Sequence, residues 1–329
     1  MHRTSRPFPR PLAAERSALA RRSLSLCRLC AHRCGVDRTA GPAGRCRSDS
    51  TARLFHEGIE WAGEADLVPT LVLSLSGCNM TCSFCLTGES SQNGAAGDPI
   101  DVDALADRIA ARPRQVRSVT LLGGEPTIHL DAALEIAARV PRELPFVWKT
   151  NGYASPEGLA LLDGVPDVVL ADYKFGNDRC AEGLAGIPDY TEVLRNNLRW
   201  AARTSRLLVR HLLMPGHLDC CWRPVAEWLR RELADVPVSL MTGFLPVFRA
   251  ARDPALGRTN RAEECRRARE ILHSLGLREA PWTMAPAPDG RPATDDIWID
   301  RNGRICVDSA SPELVAALKR MAPEVVLEP

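Results

Sequence analysis

From Leu67 onward, short apolar runs alternate with segments whose apolar positions recur at helical spacing. The runs predict strands over 67–76, 115–122, 145–149, 167–172, 206–213 and 236–241. The segments between and after them predict helices over 101–111, 131–140, 156–162, 190–204, 221–233 and 261–275. Asp98-Pro99 reads as the entry signal of the first helix. Val168-Val169-Leu170 and Leu207-Leu208-Val209 are unbroken apolar stretches, as parallel strands buried on both faces require. Six βα units of this kind predict an α/β fold, either an open sheet or a partial (β/α)6 barrel. In either case functional residues gather beyond the carboxyl ends of the strands.

The flanks lack this rhythm. Residues 1–22 are rich in Arg, Pro and Ser and read as a flexible tail. Residues 23–66 read as a cysteine-rich metal-binding segment ending in a connector over 50–66. The βα core occupies 67–278, and 279–329 reads as a C-terminal cap or extension. That extension holds a Pro/Ala/Asp-rich loop over 285–296, a hairpin over 297–307 across Asn302-Gly303, and a short helix over 312–321.

Composition narrows the function classes. The chain has 329 residues, with 42 Lys and Arg against 41 Asp and Glu. That balance speaks against a nucleic-acid-binding surface. Trp222 and Trp228 fall on different faces of a predicted helix, as packing residues do, and form no base-stacking platform. No apolar run is long enough to span a membrane, and the basic start has no signal-peptide core, so a cytoplasmic location is expected. The twelve cysteines then stand out, because thiols in such a setting signal metal or redox chemistry more than disulfides.

Three of them, Cys78, Cys82 and Cys85, form C-x3-C-x2-C directly after the first core strand. Three thiolates on one short loop can hold a [4Fe-4S] cluster and leave one iron open to a substrate or cofactor. Zinc with a fourth ligand from elsewhere is the rival reading. Four more, Cys27, Cys30, Cys34 and Cys46, are spaced C-x2-C-x3-C-x11-C, which suits a second iron-sulfur cluster or zinc. Cys180, Cys220, Cys221, Cys265 and Cys306 show no ligand spacing and read as loop, core or structural thiols. His211 reads as a packed histidine. Gly243-Phe244-Leu245-Pro246 reads as a strand-exit turn or a substrate-side lining.

The C-x3-C-x2-C loop, with Phe84 before its last cysteine, resembles the hallmark of the radical S-adenosylmethionine (SAM) superfamily. Gly123-Gly124-Glu125-Pro126 after the second strand resembles that family's GGEP segment, which meets the amino group of SAM. Lys149-Thr150-Asn151-Gly152, Asp172-Tyr173-Lys174 and the segment from Val209 to Gly216 look most like pyruvate formate-lyase activating enzymes, especially homologues with a cysteine-rich N-terminus. The resemblance covers about 67–278 and implies a partial (β/α)6 barrel of the radical SAM type. It nominates Gly123, Gly124, Glu125, Pro126, Asn151, Asp172, Lys174 and Arg210 for the SAM pocket, with Arg210 or Lys174 meeting the SAM carboxylate.

The resemblance further implies reductive cleavage of SAM to methionine and a 5′-deoxyadenosyl radical, which abstracts hydrogen from a substrate. No catalytic residue is assigned beyond the cluster and SAM. The activase likeness points to a glycyl-radical-enzyme-like protein as substrate, and to an electron donor such as flavodoxin or ferredoxin. A peptide- or small-molecule-modifying enzyme is the first alternative. A non-enzymatic iron-sulfur electron-transfer or scaffold protein is the second.

Overall fold

The computed structural model describes residues 10–112 and 115–284, together with the backbone of 297–299 and 305–307. Six parallel strands make the centre: β3 (Thr70–Leu75), β5 (Ser118–Gly123), β6 (Phe146–Thr150), β7 (Val168–Asp172), β8 (Arg206–Leu212) and β9 (Val238–Met241). They lie side by side in chain order, each in parallel register with the next. Connecting helices are α3 (Val102–Ala110), α4 (Leu130–Arg139), α5 (Pro156–Leu162), α7 (Tyr190–Thr204) and α8 (Arg223–Glu232); α9 (Ala262–Ser274) follows the last strand. This is the expected (β/α)6 order. All six residues of β3 are buried, as a central parallel strand requires.

The flanks differ from their sequence reading. Residues 10–23 are a helix, α1 (Arg10–Ser23), and not a tail. Its buried positions Ala13, Ser17 and Ala20 recur at helical spacing. Small residues at those positions let α1 lie close on α4, where Ser17 Oγ donates to Asp131 O at 2.8 Å and Arg21 pairs with Glu135 at 2.7 Å. The connector is largely strand. β1 (Arg53–Glu60) pairs antiparallel with β3, and β4 (Asp98–Pro99) pairs with β1, making an eight-stranded sheet of order β4-β1-β3-β5-β6-β7-β8-β9.

Asp98-Pro99 is therefore an edge strand, where a proline's missing donor is tolerated. Asp101 starts α3 instead, its carboxylate accepting from the amides of Asp103 and Ala104. A short helix, α2 (Gly88–Gln92), follows the cysteine loop, and another, α6 (Asp178–Ala185), fills a stretch read as loop. β2 (Ala62–Glu64) pairs with β10 (Trp282–Met284). The hairpin expected over 297–307 is present in the backbone as β11 (Ile297–Ile299) against β12 (Ile305–Val307). The loop 285–296 and the helix 312–321 lie outside the described residues. Among the described residues no helix is long and apolar enough to cross a membrane.

Candidate radical SAM site

The cysteine loop leaves the carboxyl end of β3 through Gly77 and is anchored on three sides. Phe84 is buried with its ring centroid 6.1 Å from those of both Phe175 and Phe244. Phe244, from the turn after β9, is thus a packing partner of the loop. The amides of Thr81 and Ser83 donate to Ala185 and Leu184 at the end of α6. Gln92 of α2 donates to the carbonyl of Cys82 at 3.2 Å. This scaffold brings Cys78, Cys82 and Cys85 together: Cys82 and Cys85 raise the Cys78 pKa, and Cys85 raises that of Cys82, through like-charge repulsion.

Burial is the larger cause. It pushes the Cys82 thiol up to about 12 and Cys78 well above its ordinary value. Three convergent thiols in such a place are stable as thiolates only against a strongly cationic centre. The donor set therefore fits an iron-sulfur cluster. Three further groups favour the thiolates. Asn151 Nδ2 points at Cys78 Sγ at 3.8 Å, Ser91 Oγ lies 3.2 Å from Cys85 Sγ, and the Lys174 ammonium lowers the Cys82 pKa.

The two glycines after β5 clamp this loop. Gly123 has φ +134°, and a Cβ there would meet the backbone of Leu75 at 2.1 Å. A Cβ on Gly124 would lie 1.8 Å from Gly77 O and 2.6 Å from Ser91 O. The glycine pair is thus needed for the exits of β3 and β5 to touch, with Gly124 N donating to Leu75 O and Glu125 N to Gly77 O.

Glu125 is held in place by its own chain. Its carboxylate is fully buried and accepts from four donors of its own chain. Thr127 N, Thr127 Oγ1 and Thr150 Oγ1 share Oε1, and Asn151 N reaches Oε2 at 2.8 Å. Burial raises the Glu125 pKa and these donors pull it back, with a net upward shift. The side chain orients the turns after β5 and β6 and so places Asn151. Oε1 is filled by three of these donors, while Oε2 accepts from Asn151 N alone and keeps capacity for a second donor. Pro126 follows as the first residue of a buried 3-10 turn.

Glu125→Gln should test this role. One carboxylate oxygen becomes an N–H donor facing donors, so stability should fall by about 1–3 kcal/mol. Urea unfolding of the two proteins measures it, and an unchanged midpoint would count against the role.

Asp172, Lys174 and Arg210 stand at the ends of β7 and β8. Lys174 Nζ is 2.5 Å from Asp172 Oδ2, the ion pair that their alternation also allowed. Lys174, then Arg210 and Lys149, hold the Asp172 carboxyl below its usual value against its burial. Arg210 faces Glu64 of β2, with Nε 3.5 Å from Oε1, and its Nη2 lies 2.9 Å from Met241 Sδ. Neither Arg210 Nε nor Glu64 Oε1 has a hydrogen-bond partner. Arg210 is therefore partly engaged from inside the sheet. Sequence reasoning missed Glu64 and Lys149, because nothing in a strand residue's neighbours announces a charge across the fold. His211 is packed as expected, its Nδ1 2.7 Å from Tyr173 O and its ring 4.9 Å from Trp222.

The N-terminal quartet also comes together. Cys27, Cys30, Cys34 and Cys46 line one small hollow with Arg38 and Ile128. Burial, and repulsion from Cys46, Cys27 and Cys34, raise the Cys30 pKa to about 12. The hollow adjoins the core loop directly. His32 Nε2 is 2.8 Å from Asn79 O, Ala31 N donates to Tyr153 O, and Asn79 Nδ2 donates to the same carbonyl at 3.2 Å. Asn79 Oδ1 in turn accepts from Asn151 Nδ2 at 2.8 Å, beside Cys78. Tyr153 had no motif to mark it, and Asn79 stood at an unspecified position within the C-x3-C-x2-C loop.

A parallel α/β sheet with a three-thiol loop at its first strand's exit and a Gly-Gly clamp at its second defines a class of metal-dependent enzyme. The Radical SAM superfamily model matches residues 72–229. Protein MJ0674 of Methanocaldococcus jannaschii is 31% identical over 270 residues, covering 79% of this chain and 78% of that protein. The chain belongs to the radical SAM superfamily, whose members are SAM-dependent radical enzymes with a [4Fe-4S] cluster. A 7-carboxy-7-deazaguanine synthase of Methanospirillum hungatei is 30% identical over 112 residues, 34% of this chain and 45% of that enzyme. Among solved structures, a radical SAM methyltransferase from Sphaerobacter thermophilus overlays with a TM-score of 0.47 and 18% identity, over 64% of this chain and 65% of that one.

Proposed function

We propose that the chain is an activase-like radical SAM enzyme that removes a hydrogen atom from a polypeptide substrate. Cys78, Cys82 and Cys85 would hold the cluster. The Gly123–Gly124 turn, Asn151, Asp172, Lys174 and Arg210 border the space for SAM. Bound there, a reduced cluster and SAM would supply a 5′-deoxyadenosyl radical, the cluster's one electron being used to release methionine. The chain's own part is positional and electrostatic. Lys174 offers positive charge beside Cys82, Asn151 an N–H toward Cys78, and Glu125 fixes Asn151.

The observation that carries the reading is the convergence of three half-buried thiols against the Gly-Gly clamp. A polypeptide substrate is favoured by the likeness of Lys149-Thr150-Asn151-Gly152, Asp172-Tyr173-Lys174 and the Val209–Gly216 segment to pyruvate formate-lyase activating enzymes. Partial likeness to 7-carboxy-7-deazaguanine synthases favours a second reading, a small-molecule substrate.

The quartet would hold a second [4Fe-4S] cluster, which would supply a one-electron redox centre fed by a flavodoxin or ferredoxin. Hydrogen bonds join its segment to the Cys78 loop, a contiguity that a redox centre would use and that zinc at the same cysteines would share.

Deuterium transfer decides the substrate. With Cα-deuterated candidate proteins, deuterium is expected in 5′-deoxyadenosine and a radical signal on the partner. Transfer from a small heterocycle, with none from any polypeptide, would replace the activase reading with the second one.

A further inference from the structure

We propose that Cys180, His217, Cys220 and Cys221 form a tetrahedral zinc site that clips the start of α6 to the turn after β8. Three sulfurs and an imidazole nitrogen here all lie within 4.8 Å of one another. Cys180 Sγ is 4.0 Å from Cys220 Sγ, and Cys220 Sγ is 3.9 Å from Cys221 Sγ. His217 Nδ1 lies 3.4 Å from Cys220 Sγ and 3.5 Å from Cys221 Sγ. A tetrahedron with Zn–S of about 2.3 Å and Zn–N of about 2.0–2.1 Å has S···S edges of about 3.8 Å and S···N edges of about 3.5 Å. The side chains already stand near those edges. A cubane cluster would need its thiolates farther apart, since each binds a different iron.

The surroundings are those of a thiolate site. Asn177 Nδ2 points at Cys180 Sγ at 3.2 Å and at Cys221 Sγ at 4.0 Å, while also donating to Cys220 O at 2.7 Å. Its Oδ1 caps α6 by accepting from Cys180 N. Cys180 therefore lies in the first turn of a helix, where the dipole favours a negative sulfur. The other three ligands come from one π turn over Leu218–Trp222 and the residue before it, and the turn's amides of Cys221 and Trp222 both donate to His217 O. Cys221 is buried and the other three ligands are half-buried. A Cβ on Gly176 would lie 2.4 Å from Cys221 O, so the two segments are already in backbone contact.

Four protein ligands close the coordination sphere, which is the pattern of a structural and not a catalytic zinc. Binding Zn²⁺ would release the three thiol protons and leave the whole site with a net charge of −1, the thiolates outweighing the cation. The clip would tie the stretch after β7, where Lys174 stands, to the turn that follows β8, the strand that carries Arg210.

Full-length protein purified anaerobically should be examined by metal analysis and zinc X-ray absorption. One zinc per chain is expected in a shell of three sulfurs at about 2.3 Å and one nitrogen at about 2.0–2.1 Å. Cys220→Ser should lose that zinc, and replacing Cys27, Cys30, Cys34 and Cys46 with serine should retain it. A cysteine variant can fail to fold, so the wild-type chain loaded with Co²⁺ supplies an independent reading. It should show tetrahedral d–d bands with thiolate-to-cobalt charge transfer. Zinc that survives Cys220→Ser but vanishes with the quartet would overturn the proposal. So would zinc-free protein carrying a Cys180–Cys220 or Cys220–Cys221 disulfide, or an all-sulfur zinc shell.

Discussion

Replacing Cys78, Cys82 and Cys85 together with alanine is expected to remove about four irons per chain and to abolish 5′-deoxyadenosine formation. The effect should be complete, because the three half-buried thiols form one donor set and no other ligand of the loop can substitute. Iron counting on the same variant also reads the quartet. About four irons should remain there if Cys27, Cys30, Cys34 and Cys46 hold a second cubane. An iron-free variant with an extra zinc lost only on quartet substitution would refute that second cluster. Iron content and absorption spectra, compared with the wild type, make the measurement. Retention of all iron by the triple variant would refute the assignment of the triad.

Gly124→Ala should have the second largest effect. Its Cβ would overlap Gly77 O at 1.8 Å, and a backbone oxygen cannot swing aside as a flexible side chain could. The β3 and β5 exits must then separate, breaking the bonds from Gly124 N to Leu75 O and from Glu125 N to Gly77 O. Strain of this kind belongs with the exceptional substitutions that cost more than about 4 kcal/mol. We expect a variant that is unfolded or much destabilised, with its cluster lost. Gly183→Ala is the control, since a Cβ there meets nothing within 4 Å and the residue lies inside α6. Thermal unfolding of both variants should show a large drop for the first and little change or a gain for the second. Equal midpoints would remove the steric account of the Gly-Gly pair.

The core was legible because parallel strands buried on both faces leave unbroken apolar runs. Val168–Asp172 and Pro156–Leu162 illustrate how closely pattern and structure agree. Helix α1 was hidden because its buried stripe is Ala13, Ser17 and Ala20, too small and mixed to register as apolar. Strand β1 was hidden for another reason. It lies toward the sheet's antiparallel edge and most of its residues are half-buried, so no continuous run marks it. The C-x3-C-x2-C loop announced itself, since its ligands are contiguous. Glu125 did so only in part: its motif was visible, but Thr127, Thr150 and Asn151 as its partners were not. Cys180 and the His217–Cys221 turn were separated by a helix pair and a strand, so only the fold could unite them.

Reductive cleavage of SAM by the wild-type protein tests the central claim most directly. Anaerobically reconstituted protein, reduced with dithionite and given SAM, should yield 5′-deoxyadenosine and methionine. Protein with a full cluster and bound SAM that forms neither product under strong reduction would contradict it.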